Sequence, residues 1–189
     1  QKTAYEIKEC DLEFRRVLFR SRKGQEVAKD LRKAMEWYQK AAALGNAQAQ
    51  ANLGEIYEEG EGVAKDVATA IEWYQKAAAQ GNAFGLLKLG ECYRYGSGVK
   101  EDTAKAFELY EKAAMLGNSQ AQFEIGGSYL IGEKHYKSLV KRQDYAKAFE
   151  WLQKSAEQGN PSGQFMLADM YSKGHAVPKD ERKAFEWEL

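Results

Sequence analysis

Two histidines, two cysteines and two short patterns are the places in this 189-residue sequence where chemistry could begin. His135 and His175 fall in segments that read as loops. Neither has a cysteine or a second histidine at metal-ligand spacing, so no metal site is expected and both imidazoles are expected to be solvated. Ser138-Leu139-Val140-Lys141 has the S-x-x-K spacing in which a lysine amine takes the proton of a nucleophilic serine. That chemistry needs the serine at the start of a buried helix together with Lys-Thr-Gly and Ser-Asp-Asn motifs, and neither motif follows. Gly96-Ser97-Gly98 is followed by Glu101 where a dinucleotide fingerprint carries glycine, and no strand precedes it. These residues predict no catalytic centre, no cofactor and no metal.

The elements that would position any such residue are set by a repeat. A Gly-Asn pair occurs at Gly45, Gly81, Gly117 and Gly159, at intervals of 36, 36 and 42 residues, and a fixed period of this size means stacked supersecondary units. Within one unit, Ala49, Leu53, Ile56 and Tyr57 fall on one face of a 3.6-residue period. Val67, Ala70, Ile71, Tyr74, Ala77 and Ala78 form a second stripe, so each unit reads as two helices. The glycine of each pair suits a left-handed helix C-cap, and the asparagine beside it suits the N-cap of the next helix. Asn160 is followed by Pro161, which is favoured at a first helical position. Asp30, Asp66, Asp102, Asp144 and Asp180 are expected to cap the second helices. The glycines of Gly60-Glu61-Gly62-Val63 and Gly96-Ser97-Gly98-Val99 are expected at positive φ.

The joint pattern Leu53-Gly54, Tyr57, Gly60-x-Gly62-Val63, Asp66, Ala70, Trp73-Tyr74 and Lys76-Ala77-Ala78 closely resembles the Sel-1-like repeat, a relative of the tetratricopeptide repeat with a longer loop inside each hairpin. The resemblance covers about residues 24 to 189. It comprises a partial first unit over 24–45 with its second helix at 27–44, then units at 46–81, 82–117 and 118–159, and a last unit at 160–189 that stops inside its second helix. It implies an all-α, right-handed superhelical α-solenoid of antiparallel helix hairpins, with first helices lining a concave side, in a bacterial protein.

Residues 1–23 fit this pattern poorly, and two readings stay open. One is a divergent capping helix in which Leu12, Phe14, Val17 and Leu18 cover the first repeat. The other is non-native sequence, because Leu18-Phe19-Arg20-Ser21 is what CTC TTC CGA TCT would encode, as at the end of a common sequencing adapter. The chain starts at Gln1, so a targeting segment cannot be judged, and it is expected to continue beyond Leu189. The third unit carries six extra loop residues between Gly132 and Asp144, including Lys134, Lys137, Lys141 and Arg142. That insertion is either a basic partner-contacting loop or a tolerated solvated one.

With 28 basic and 28 acidic residues the net charge is zero, which argues against a nucleic-acid or anionic-membrane role. No apolar run is long enough for a membrane span. Cys10 and Cys92 do not recur with the repeat. The absence of a cysteine pair in every unit, known from exported Sel-1-like proteins, favours the cytoplasm over the periplasm. Tyr57, Tyr93, Tyr129 and Tyr171, with Trp37, Trp73, Trp151 and Trp187, recur at helix-face positions and are expected to pack between helices rather than to stack bases.

Positions that vary between units remain as candidates for recognition. On successive first helices they are Gln48, Asn52 and Glu55; Phe84, Lys88 and Glu91; Gln120, Glu124 and Gly127; and Ser162, Met166 and Asp169. A row of mixed charge suits a peptide or a helix of another protein. The expected function is therefore that of a monomeric, non-enzymatic scaffold or adaptor. The alternative implied by the resemblance is an enzyme of the penicillin-recognising type reported for cysteine-rich members, which the missing cysteines disfavour.

Overall fold

The computed structural model describes residues 28–132 and 143–188, with side chains over 35–132 and 143–187. The described residues form nine helices: α1 (Ala28–Ala43), α2 (Ala47–Glu59), α3 (Val67–Ala79), α4 (Ala83–Tyr95), α5 (Thr103–Met115), α6 (Ser119–Ile131), α7 (Tyr145–Glu157), α8 (Pro161–Lys173) and α9 (Glu181–Glu188). The fold is an all-α solenoid of helix hairpins, in which α2, α4, α6 and α8 are first helices and the odd-numbered helices are second helices. The chain divides into two compact units, Gln1–Gly85 and Leu86–Leu189. The 1–23 segment, Cys10, His135, the Ser138 to Lys141 pattern and the inserted basic residues lie outside the described residues.

Every helix junction is fixed by a backbone motif that the sequence supplies. At the end of α3 the Gly81 N–H donates to the Ala78 carbonyl at 2.9 Å, and the Asn82 N–H donates to Ala77 at 3.1 Å. Gly81 holds φ at +75°. This is the two-bond Schellman arrangement, which satisfies carbonyls left over at a helix end. The Asn82 side chain then accepts the Gly85 N–H at 2.7 Å, so one residue closes α3 and caps α4. The same double bond recurs at Gly45-Asn46, Gly117-Asn118 and Gly159-Asn160.

The loop inside each hairpin is closed differently. The Asp66, Asp102, Asp144 and Asp180 N–H groups donate to the carbonyls of Tyr57, Tyr93, Tyr129 and Tyr171 at 2.8 to 3.0 Å. Their carboxylates accept the N–H groups of Thr69, Lys105, Lys147 and Lys183, which caps the second helices. The Asp144 bond to Tyr129 spans the loop that carries the six extra residues, so the insertion leaves the hairpin clasp intact. At Asp66 the Thr69 hydroxyl also donates, at 2.7 Å; with the Thr69 N–H it holds the carboxyl below its ordinary pKa. Asp30 departs from expectation: it lies inside α1 rather than before it, so it is not a cap. Gly60, Gly62, Gly96 and Gly98 all have positive φ.

Packing follows the stripes. In the first unit Tyr38, Ala41, Ala42, Ala49, Leu53 and Ile56 form a buried cluster between α1 and α2, backed by Met35, Val63 and Trp73. In the second unit Ala148, Leu152 and Met170 are surrounded by Phe123, Tyr129, Leu130, Tyr145, Phe149 and Met166. The equivalent positions Leu53, Leu89, Ile125 and Leu167 are all buried. The glycine following each of the first three lets a hairpin close. A Cβ at Gly90 would sit 2.7 Å from Tyr110 Cε1, and one at Gly126 would sit 2.7 Å from Leu152 Cγ. Gly54 faces Tyr74 in the same way.

Candidate partner-binding site

In the first unit, Gln48 is exposed and its amide donates to Asn52 Oδ1 at 2.8 Å. Gln48 Oε1 in turn accepts from the N-cap residue Asn82 at 3.1 Å. Asn52, Glu55 and Phe84 are half-buried. In the second unit, Lys88 pairs with Glu91 at 3.1 Å, with side chains 19% and 31% exposed. Glu124 is held by the guanidinium of Arg94 from the preceding first helix and by the Gln120 amide at 3.2 Å. Asp169 pairs with Lys173 at 2.8 Å, Ser162 is exposed, and Met166 leans on the Ala148, Leu152 and Met170 cluster. Gly127 is buried, yet apart from its own chain neighbours and helix backbone no atom lies within 4 Å of where its Cβ would be.

The expectation of a solvent-facing row at Asn52, Lys88, Glu124 and Met166 needs refinement, because each of these residues is half-buried. Long polar side chains at this position lie along the helix surface and find a partner three or four residues away or on the neighbouring helix. Asn52, Lys88 and Glu124 are thus held in ion pairs and amide contacts, whereas Met166 leans on the apolar cluster.

On the second unit α6 and α8 lie in contact, and between them Phe123, Pro161, Ser162, Phe165 and Met166 enclose an open hollow of about 310 Å³. There candidate row residues Ser162 and Met166 line a concavity with apolar walls. A second hollow, of about 450 Å³, sits on the α4–α5 loop against Tyr93, Val99, Lys100, Glu101, Asp102 and Lys105. There the Lys105 ammonium donates to the Tyr93 hydroxyl at 2.7 Å. Among the described residues no group of three or more His, Cys, Asp and Glu could hold a metal ion, and no helix is long and apolar enough to cross a membrane.

The hairpin geometry and its closing tyrosine carbonyls are repeated at the spacing of one known family. The Sel1 repeat model matches residues 21–46, 47–82, 83–118, 119–160 and 161–187. The chain belongs to the Sel1 repeat family. Among solved structures it is similar to a Sel1 repeat protein from Oxalobacter formigenes, with 29% identity and a TM-score of 0.72, covering 85% of this chain and 61% of that one. It is also similar to a protective antigen present in uropathogenic Escherichia coli strains displaying an SLR fold. That match has 34% identity and a TM-score of 0.72, and covers 99% of this chain and 38% of that one. A putative Sel1 repeat protein from Klebsiella pneumoniae subsp. pneumoniae shares the fold at 22% identity and a TM-score of 0.55, covering 98% of this chain and 89% of that one. The chain thus spans less than two thirds of the first two relatives. No curated protein matches it. Sel1 repeats are typically protein–protein interaction scaffolds.

Within the Sel1 framework several side chains do work that the sequence pattern hid. Gln50 and Gln122 are buried, and each donates to a carbonyl at the end of the preceding helix, Ala42 and Ala114, at 3.2 Å. Each also accepts from the glutamine that ends its own hairpin, Gln80 at 2.8 Å and Gln158 at 2.7 Å. The available signal was the recurrence of Gln-Ala-Gln at Gln48 and Gln120 with Gln-Gly-Asn at Gln80 and Gln158. His175, expected in solvent, is half-buried and stacks on Tyr145 with ring centroids 4.3 Å apart. Its N–H donates to the Met170 carbonyl at 2.9 Å, and this turn holds the ring against α7. Trp37 differs from the packing expected of it, being 45% exposed, whereas Trp73 backs the first-unit cluster; Trp37, Trp73 and Trp151 carry the ammonium of Lys40, Lys76 and Lys154 at 4.1 to 4.7 Å. An i,i+3 lysine lies over each ring because those positions are neighbours on a helix surface.

Proposed function

We propose that this Sel1 chain is a non-enzymatic scaffold or adaptor whose first-helix row binds a peptide or helix of a partner protein. The observation that supports it most is the hollow between α6 and α8, where Phe123, Phe165 and Met166 supply apolar walls. The same two helices also carry the carboxylates of Glu124 and Asp169. Such a combination suits an apolar anchor side chain flanked by polar contacts, the arrangement in which a few buried residues carry most of the binding energy. The ordered ion pairs of the row favour binding, since little side-chain freedom is left to lose on association. A library of displayed helical peptides gives a direct test. Peptides recovered on the native chain should bind Lys88→Glu about tenfold more weakly, because the substitution sets like charges together in the row. The second-helix reversal Lys76→Glu should bind them as the native chain does. Equal binding by the two folded variants would reject the row as the site.

A further inference from the structure

We draw no further inference here: the strongest candidate, the side-chain cluster on α2 in which Asn82 donates to Gln48 at 3.1 Å and Gln48 to Asn52 at 2.8 Å, belongs to the first-helix row already described, and nothing in the structure shows what the Asn52 amide nitrogen meets.

Discussion

At the scale of single residues, adjacent glycines on α6 have opposite roles. A Cβ at Gly126 would press on Leu152 Cγ at 2.7 Å and on the Leu152 backbone nitrogen at 3.2 Å, whereas one at Gly127 meets nothing within 4 Å apart from its own chain neighbours and helix backbone. Gly127→Ala should therefore stabilise the chain by about 0.5 to 1 kcal/mol through the lower entropy of the unfolded state, and Gly126→Ala should destabilise it by about 1 to 3 kcal/mol through overpacking. Urea denaturation of the pair decides this, and a shift of the same sign in both would show that the α6–α7 contact is misjudged. Leu53, fully buried in the first unit, should lose about 2 to 5 kcal/mol on truncation to alanine. Its role was legible in the sequence, since apolar character at 53, 89, 125 and 167 follows the repeat. Gln50 and Gln122 were not legible. A glutamine on a helix reads as surface, and only the approach of the preceding helix end turns it into a buried clasp.

At the scale of elements, the hairpins owe their fixed length to their junctions. Gly81 combines φ of +75° with empty space around its would-be Cβ, so Gly81→Ala costs only the left-handed backbone, about 1 to 2 kcal/mol. Ala79→Gly, in the last turn of α3, should cost about 0.5 to 1 kcal/mol. Thermal denaturation giving equal losses would remove the Schellman glycine from the account. These caps were readable from residue type alone, because few residues tolerate positive φ and few side chains cap a helix N-terminus. The misplacement of Asp30 has the same origin: an aspartate at the right spacing looks like a cap, but this one lies within α1, Ala28–Ala43. The third hairpin adds six residues to its loop, yet Asp144 still donates to Tyr129. Loop length is thus decoupled from helix packing, as the slow growth of closure entropy with length allows.

At the scale of the whole molecule, the sequence period established an all-α Sel1 solenoid because each landmark residue has one structural reason to recur. The candidate row was only half legible. Variation between units singled out Asn52, Lys88, Glu124 and Met166, but not their half-buried state. Nor did it single out Phe123 and Phe165, which look like core residues in the pattern and form the walls of the α6–α8 hollow. Purified protein is expected to leave nitrocefin unhydrolysed, and turnover above the buffer rate would revive the penicillin-recognising alternative. The central claim, that the first-helix row is where a partner's peptide docks, is tested most directly by isothermal titration of a display-selected helical peptide against the native chain, Met166→Asp and Lys76→Glu. Met166→Asp should weaken binding about tenfold or more by placing a charge in the hollow, while Lys76→Glu on α3 should stay within about twofold of the native chain. Equal affinities for all three proteins, or a loss confined to Lys76→Glu, would contradict it.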